Sequence, residues 1–249
     1  AIDSVGRELR YRRQGVLRLH RAERSPRARA RPQRRLSCRQ GVGSPDGDKS
    51  DNCGIDVLTT LLAKVRACTL CAEHLPLGPR PVVQVHPLAR ILIAGQAPGR
   101  KVHETGVPFN DASGDRLRAW LGVSREVFYD ARQVAILPMG FCFPGTGKSG
   151  DLPPRPECAP KWRAALLGQL KNLRLTLVIG QYAQAYHLPD EGSSLTEIVH
   201  AWGKNWPHTV PLPHPSPRNN LWLRRNPWFE KELIPVLRTR VLAVLEHDG

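Results

Sequence analysis

Short, almost wholly apolar runs recur along the chain, separated by stretches with helical periodicity. The runs cover residues 91–95, 134–138 and 175–180, and each ends at Gly or Pro. Runs of this length and composition are typical of strands that are buried on both faces of a sheet. A further strand is predicted to begin at Val210, so the pattern indicates four buried strands.

Apolar residues spaced three and four apart predict the helices. These are expected from Ile55 to near Cys68, around residues 117–121, over 162–170, after 180 and over 228–245. Strands that alternate with helices predict a three-layer α/β/α sandwich around a central, mostly parallel four-stranded sheet. Sites in such sheets form at the carboxyl ends of the strands. The loops that follow the four strands are therefore the candidate site loops.

The net charge of +15 is distributed unevenly. Residues 1–50 hold 13 Arg and 1 Lys against 5 acidic residues, a net of +9, and contain no Phe or Trp. Such a composition buries too little surface to offset the entropy of ordering, so residues 1–54 are predicted to be a disordered basic extension. The folded domain is expected over residues 55–249. Non-specific binding to nucleic acid, targeting and a dispensable tail all remain open for the extension.

Composition excludes several classes of protein. No run of about 18 apolar residues is present, so a membrane span is not expected. Six Cys are too few for a disulfide scaffold, and no apolar segment typical of a secretory signal is found near the start. The basic balance favours a nucleic-acid partner. We expect a cytoplasmic protein of bacterial type, monomeric and associated with the nucleoid through DNA.

The loop after the first strand is a candidate ligand site. It reads Gly95-Gln96-Ala97-Pro98-Gly99, and its glycines allow backbone N–H groups to approach a ligand closely. Further on, Thr105-Gly106-Val107-Pro108-Phe109 places an aromatic ring at a rigid turn, where a planar base can stack.

The loop after the last strand holds a histidine between two prolines, in Pro213-His214-Pro215-Ser216. A His fixed in this way is a preorganised hydrogen-bond donor of the kind that stabilises developing charge. Arg218 and Asn219 follow within reach of phosphates or of the base stack. A Pro-rich turn with an incidental His is the plainer interpretation.

A segment that resembles a phosphate-binding loop lies at residues 144–149. The true motif requires Gly five residues before Gly147, where Cys142 stands, and a helix that Pro153 and Pro154 prevent. No nucleotide cofactor is therefore expected. Lys148 is instead predicted to lie in a flexible basic loop near a phosphate backbone.

Four cysteines form two spaced pairs, Cys68-x2-Cys71 and Cys142-x15-Cys158. Such a set is suited to a [4Fe-4S] cluster or to structural Zn²⁺, and the residues alone leave both open. Cys38 and Cys53 lie outside this spacing and are interpreted as incidental.

Taken together, these motifs resemble the uracil-DNA glycosylase superfamily, specifically its iron-sulfur branch (families 4 and 5). That branch has a Gly-x-Ala-Pro-Gly loop followed by Thr-Gly-x-Pro-Phe, a Cys-x2-Cys near the start, a Cys-x15-Cys in mid-chain and a late His-Pro-Ser. All of them occur here in that order, over roughly residues 55–245. The resemblance implies an enzyme that flips a damaged base out of DNA and hydrolyses its N-glycosidic bond.

The resemblance also implies roles for residues. His214 would stabilise the leaving base, Phe109 would stack on it, and the backbone of the 95–99 loop, including Gly95, Ala97, Pro98 and Gly99, would line the pocket. Ser216, Arg218, Asn219 and Lys148 would contact DNA. Cys68, Cys71, Cys142 and Cys158 would hold a structural [4Fe-4S] cluster, with Zn²⁺ as the alternative.

Departures from the family pattern affect catalysis and specificity. Gln96 stands where many family 4 members have Glu, and Ala97 stands where family 1 has the Asp that orients water. Glu104, or else His103, is the hypothesised replacement. No Asn follows the second strand, where one that reads uracil is expected, so the target is uracil or a related base. A non-catalytic binder of damaged or single-stranded DNA, and a fold relative with altered nucleobase chemistry, are the alternatives.

Overall fold

The structure, a computed structural model, describes residues 50–148, 150–189 and 194–246, with backbone alone for residues 50–55. The predicted disorder of the Arg-rich extension lies outside the described residues for positions 1–49. Residues 50–54 belong to a helix that starts at Ser50, five residues before the predicted start. The predicted extent of the domain stays a prediction.

A four-stranded parallel sheet forms the centre of the fold. Its strands are β1 (Ile91–Ala94), β2 (Val134–Ile136), β5 (Leu175–Ile179) and β6 (Thr209–Leu212), in the order β2-β1-β5-β6. All four lie at the predicted positions. Because adjacent strands are parallel, their carboxyl ends meet at one edge of the sheet.

Helices cover both faces of the sheet. The helices are α1 (Ser50–Arg66), α2 (Arg100–Thr105), α3 (Ala112–Leu121), α4 (Arg125–Tyr129), α5 (Cys158–Leu167), α6 (Gly180–His187), α7 (Leu195–His200), α8 (Asn220–Arg225) and α9 (Ile234–Glu246). A π-helical turn, Phe229–Leu233, leads directly into α9.

Alternation along β1 separates two hydrophobic cores. Ile91 and Ile93 pack in one cluster with residues of α3 and α9, whereas Leu92 packs in another with residues of α1 and α5. Successive side chains of a strand point to opposite faces, so the two clusters are the two interfaces of the sheet with its helical layers. The predicted three-layer α/β/α fold is confirmed.

The predicted Pro/Gly loop over residues 143–156 contains a small hairpin. Its strands are β3 (Thr146–Gly147) and β4 (Gly150–Asp151), paired antiparallel. Helix α5 also begins at Cys158, before the predicted start at residue 162. Two-residue strands and short helices such as α2, α4 and α7 are too brief to show a hydrophobic period, which explains why the pattern did not predict them.

No helix among the described residues combines the length and the apolar character that crossing a membrane requires.

Candidate active site

Backbone hydrogen bonds join the loops that follow β1 and β2. The N–H of Met139 donates to the carbonyl of Gly95, and the N–H of Gly140 donates to the carbonyl of Gln96, both at 2.9 Å. Gly95 and Pro98 are buried, while Gly99 is the residue before the first turn of α2. The 95–99 loop is therefore held as an extension of the sheet, with a fixed backbone.

The Phe109 ring packs against this loop. A Cβ on Gly95 would lie 3.4 Å from the Phe109 ring, and the ring meets Phe128 edge-on with centroids 6.2 Å apart. Phe109 has a φ of +53°, which is uncommon for a residue with a side chain. Its carbonyl oxygen lies so close to Gly114 of α3 that a Cβ there would overlap it. The turn thus depends on Gly114.

His214 lies just beyond β6, in a loop closed by its own hydrogen bonds. The backbone N–H of Ser216 donates to His214 Nδ1 at 3.2 Å, and the Asn219 side-chain amide donates to the His214 carbonyl at 2.7 Å. The Cβ of His214 lies 3.9 Å from the position a Cβ would take on Gly180, the residue after β5. The Asn219 side chain thus fixes the position of His214, and the Ser216 backbone N–H fixes the orientation of its ring.

These contacts select one form of the imidazole. An N–H group can only donate, so Nδ1 is the acceptor and the proton of the neutral ring is on Nε2. Burial lowers the pKa of His214 below its ordinary value, against smaller opposing effects of Asp111 and Asp151, while Arg218 lowers it further. His214 is thus a neutral donor through Nε2 at neutral pH.

Helix α3 braces the His214 loop from outside. Arg116 donates from Nη1 to the carbonyl of Ser216 at 3.2 Å and from Nη2 to Asn220 Oδ1 at 2.8 Å. The same helix holds the Phe109 turn through Gly114. Arg116 was not singled out from the sequence, because its role depends on contacts 100 residues away along the chain.

The β3–β4 hairpin lies over the other loops. Gln96 Nε2 donates to the carbonyl of Leu152 at 3.3 Å, and the Arg218 guanidinium lies against the Cα of Gly150. Lys148 is exposed in the turn between the two strands. The structure thus brings the hairpin together with Gln96 and Arg218.

Acidic residues near His214 differ from those expected. The carboxylates with an electrostatic effect on His214 are Asp111 and Asp151, which sequence reasoning did not select. Glu104 is exposed on α2, where its backbone carbonyl accepts from Arg80. His103 is buried with its ring 6.2 Å from that of Phe143, and its Nδ1 has no partner within the described residues. These contacts of Glu104 and His103 do not involve His214, so they give no support to the hypothesis that one of the two residues activates water.

The segment after β2 is held from behind by a buried arginine. Arg163 Nη1 donates to the carbonyls of Leu137 and Pro138 at 2.7 and 2.9 Å. Its Nη2 lies 2.6 Å from His187 Nε2, and burial with the adjacent guanidinium lowers the pKa of His187 to about 4. The neutral His187 ring accepts the hydrogen bond. Arg163 therefore fixes the backbone that follows β2.

Residues 83–238 match the family model of the uracil DNA glycosylase superfamily. The match covers more than half of the chain and includes all the loops described above. The chain belongs to this superfamily. Members of the superfamily are generally DNA glycosylases, hydrolases that act in DNA repair.

The four predicted cysteine ligands lie together, on the side of the Met139–Cys142 segment where α5 begins. Cys68, Cys71, Cys142 and Cys158 all line one pocket, together with Phe141 and Trp162. None of the four is in a disulfide. Trp162 Nε1–H donates to Cys68 Sγ at 3.3 Å and the Phe141 N–H to Cys158 Sγ at 3.4 Å. The two spaced pairs thus line the same pocket.

The chemistry of this pocket suits a soft cation. Burial, with smaller effects of the neighbouring cysteines, raises the pKa of Cys142 to about 11 and that of Cys158 to about 12. A bound cation would relieve this mutual repulsion between thiolates. Within the described part of the chain, however, no three His, Cys, Asp or Glu side chains converge closely enough to form a ready metal site. Cysteine thiolates are donors that Zn²⁺ and iron-sulfur clusters take, but these side chains are not arranged as a ligand set.

Proposed function

We propose that this superfamily member is a DNA repair glycosylase that flips uracil or a related deaminated base out of DNA and hydrolyses its N-glycosidic bond, leaving an abasic site. The observation that carries the proposal is the neutral His214 ring with its proton on Nε2, fixed by the Ser216 N–H. A donor held in this way suits a reaction in which the leaving base becomes an anion.

His214 would act by stabilising charge. The glycosidic bond breaks with its electron pair moving onto the base, so negative charge grows on a base carbonyl oxygen. The Nε2–H would donate to that oxygen, and the interaction strengthens as the charge develops. Asn219 and Arg116 support this step because they hold the loop in place before the substrate arrives.

Phe109 and the 95–99 loop would bind the flipped base. The ring of Phe109 lies beside Gly95, so a planar base bound at this loop would meet an aromatic ring and a backbone that carries no side chain at Gly95. Unstacking a base from DNA costs a few kcal/mol, which stacking on an aromatic ring partly offsets. Pro98, Ala97 and Gly99 complete the predicted lining.

Several polar and basic groups near these loops would face DNA. Arg218 and Lys148 lie on or against the hairpin, where they are exposed and available to phosphates. Ser216 and Asn219 already serve the His214 loop through hydrogen bonds, so their contribution to DNA binding would come chiefly through that loop.

The cysteine pocket would hold a structural [4Fe-4S] cluster, as in the iron-sulfur branch, with structural Zn²⁺ as the alternative. Cys68, Cys71, Cys142 and Cys158 would be the ligands. When bound, the group would tie the end of α1, the start of α5 and the segment after β2 together. It would supply no redox step to the hydrolysis.

The test is excision from a panel of lesions. Purified protein is incubated with duplex and single-stranded oligonucleotides that contain uracil, xanthine or hypoxanthine, and abasic sites are then cleaved with alkali. We expect strand cleavage on at least one lesion. Binding to DNA without cleavage on any lesion would instead support the non-catalytic binder, which Gln96 and Ala97 favour because neither is an acid.

A further inference from the structure

The carboxylate of Asp151 lies beside the 95–99 loop, near Gly99. A Cβ on Gly99 would lie 3.3 Å from Asp151 Oδ2, so the carboxylate is in near contact with the backbone that would line the base pocket. The Asp151 side chain is anchored by Thr146, whose hydroxyl donates to Oδ1 at 3.3 Å across the hairpin. Asp151 is itself exposed, so water reaches it.

The hairpin that carries Asp151 is attached to both site loops. Leu152, the next residue, accepts a hydrogen bond from the Gln96 side chain, and its N–H donates to Gly145 at 2.8 Å. Gly150, the preceding residue, is covered by Arg218 from the His214 loop. Contacts on either side therefore hold Asp151 between the first and the last site loop.

Asp151 is also close enough to His214 to act on it electrostatically, and its negative charge raises the pKa of the imidazole. The other carboxylate with this effect, Asp111, is already engaged, since its Oδ1 caps α3 by accepting from the Gly114 N–H at 2.9 Å. Among the described residues, Asp151 is thus the carboxylate near His214 that has no capping role.

We propose that Asp151 is a catalytic carboxylate of this site and replaces, from the hairpin, the acid that Gln96 and Ala97 do not provide. The assignment rests on the proposed glycosylase function. A hydrolytic glycosylase needs a negative group beside the sugar, because positive charge develops on the sugar as the base leaves, and a base is needed to take a proton from water.

The proposed hydrolysis consumes one water molecule. The bond between C1′ and the base nitrogen breaks, and its electron pair leaves with the base, whose oxygen accepts from His214 Nε2–H. The water oxygen forms a new bond to C1′ while Asp151 takes one of its protons. The anionic base is then protonated from solvent, and Asp151 releases its proton.

The test compares Asp151→Asn with two other variants on the lesion that the wild-type protein excises. Single-turnover rate constants are measured, and so is affinity for a duplex whose lesion nucleotide carries a 2′-fluoro group that prevents cleavage. We expect Asp151→Asn to lower the rate constant about 100-fold, within the range for a positioned acid or base, with little change in affinity. Glu230→Gln, which removes one exposed carboxylate from the final helical segment, is the control for charge and should match the wild type.

Asp111→Asn decides between the two carboxylates. Asn also caps helices, so this variant keeps α3 while removing the charge. A full rate with Asp151→Asn, or a rate loss matched by an equal loss of affinity, overturns the assignment of Asp151 and leaves the proposed function standing. A large loss with Asp111→Asn and none with Asp151→Asn transfers the role to Asp111. A wild-type chain that releases no base overturns the proposed function and this assignment together.

Discussion

The His214 loop and the cysteine pocket are built in opposite ways. His214 is held by contacts within the protein: the Ser216 backbone N–H, the Asn219 side-chain amide and, through Ser216, the Arg116 side chain from α3. The cysteine side chains come from separate segments, and their sulfurs accept hydrogen bonds from Trp162 and Phe141, which are weak because sulfur is a weak acceptor. The His214 loop is thus held by the chain's own contacts, whereas the cysteine pocket would depend on the proposed group to link its segments.

This difference predicts which property of the protein a substitution at each site changes. A preorganised donor contributes to the reaction rate, because its orientation is already fixed when charge develops. A ligand-held pocket contributes to folding, because the bound group links segments that are distant along the chain. Variants at the His214 loop should therefore change the reaction rate without changing stability. Variants at the cysteines should change stability without changing the reaction rate.

The largest effect is expected from His214→Ala. Removing the Nε2–H donor should lower the single-turnover excision rate about 100- to 1,000-fold, as loss of one preorganised donor does in comparable sites. The melting temperature should change little, since the side chain is only partly buried and accepts from one N–H. His208→Ala, at an exposed His before β6, is the matched control. A fall in DNA affinity equal to the fall in rate would show that His214 serves binding.

The next largest effect should appear at the cysteines. Cys158→Ser should lose an absorption band near ~400 nm and lower the melting temperature, by roughly 2–4 °C for each kcal/mol lost in a domain of this size. Cys53→Ser, outside the two spaced pairs, should match the wild type. A colourless wild-type protein with stoichiometric zinc would assign the pocket to Zn²⁺ instead. Unchanged stability on loss of the metal would contradict the comparison with the His214 loop.

Gly114→Ala tests the turn that links the two site loops through α3. A Cβ there would overlap the Phe109 carbonyl, so the chain must shift at a cost of about 1–3 kcal/mol, as overpacking typically does. Both the melting temperature and the excision rate should fall, because Phe109 moves with the strain. Gly203→Ala is the control, since a Cβ at Gly203 meets nothing within 4 Å. A Gly114→Ala variant as stable as that control would show that the turn is not fixed.

The sequence predicted the sheet and its site loops well for a physical reason. Buried strands such as Leu175–Ile179 have a local signature, a short apolar run ending at Gly, and parallel pairing then fixes which loops meet. The cysteine pairs were found in the same way, because the spacing of ligands is local. The loop motifs around Pro98 and His214 were recognised because each is a short continuous segment.

Contacts between distant segments could not be predicted. Arg116 and Asp151 carry no local pattern, and their importance arises from where α3 and the hairpin place them. Glu104 was selected by its nearness in sequence to the 95–99 loop, which says little about where a helix directs a side chain. Arg163 was missed because a basic residue on a helix ordinarily faces solvent, whereas this one is fully buried.

The smallest effect tests the hydrogen bond by which the Ser216 N–H holds the His214 ring and its tautomer. Ser216 has φ −57° and ψ 143°, a backbone conformation that proline adopts, so Ser216→Pro removes the N–H donor without changing the backbone. Its Cδ takes the place of the N–H hydrogen, which points at His214 Nδ1, so the ring must also move away. Because that hydrogen bond forms only with unprotonated Nδ1, its loss should raise the pKa of His214. The wild-type rate should stay level as pH falls to the ordinary His pKa and decline only below it, since the folded pKa is lowered.

In Ser216→Pro the decline of the rate should begin at a higher pH than in the wild type. At neutral pH the rate should fall up to about tenfold, which corresponds to the net free energy of one hydrogen bond. Ser216→Ala keeps the N–H and loses the hydroxyl that accepts from the Arg218 N–H, so it should retain the wild-type pH profile. Identical pH–rate profiles for the two variants would show that the backbone does not select the tautomer. The contrast between the His214 loop and the cysteine pocket would then depend only on how the position of the His214 ring is held.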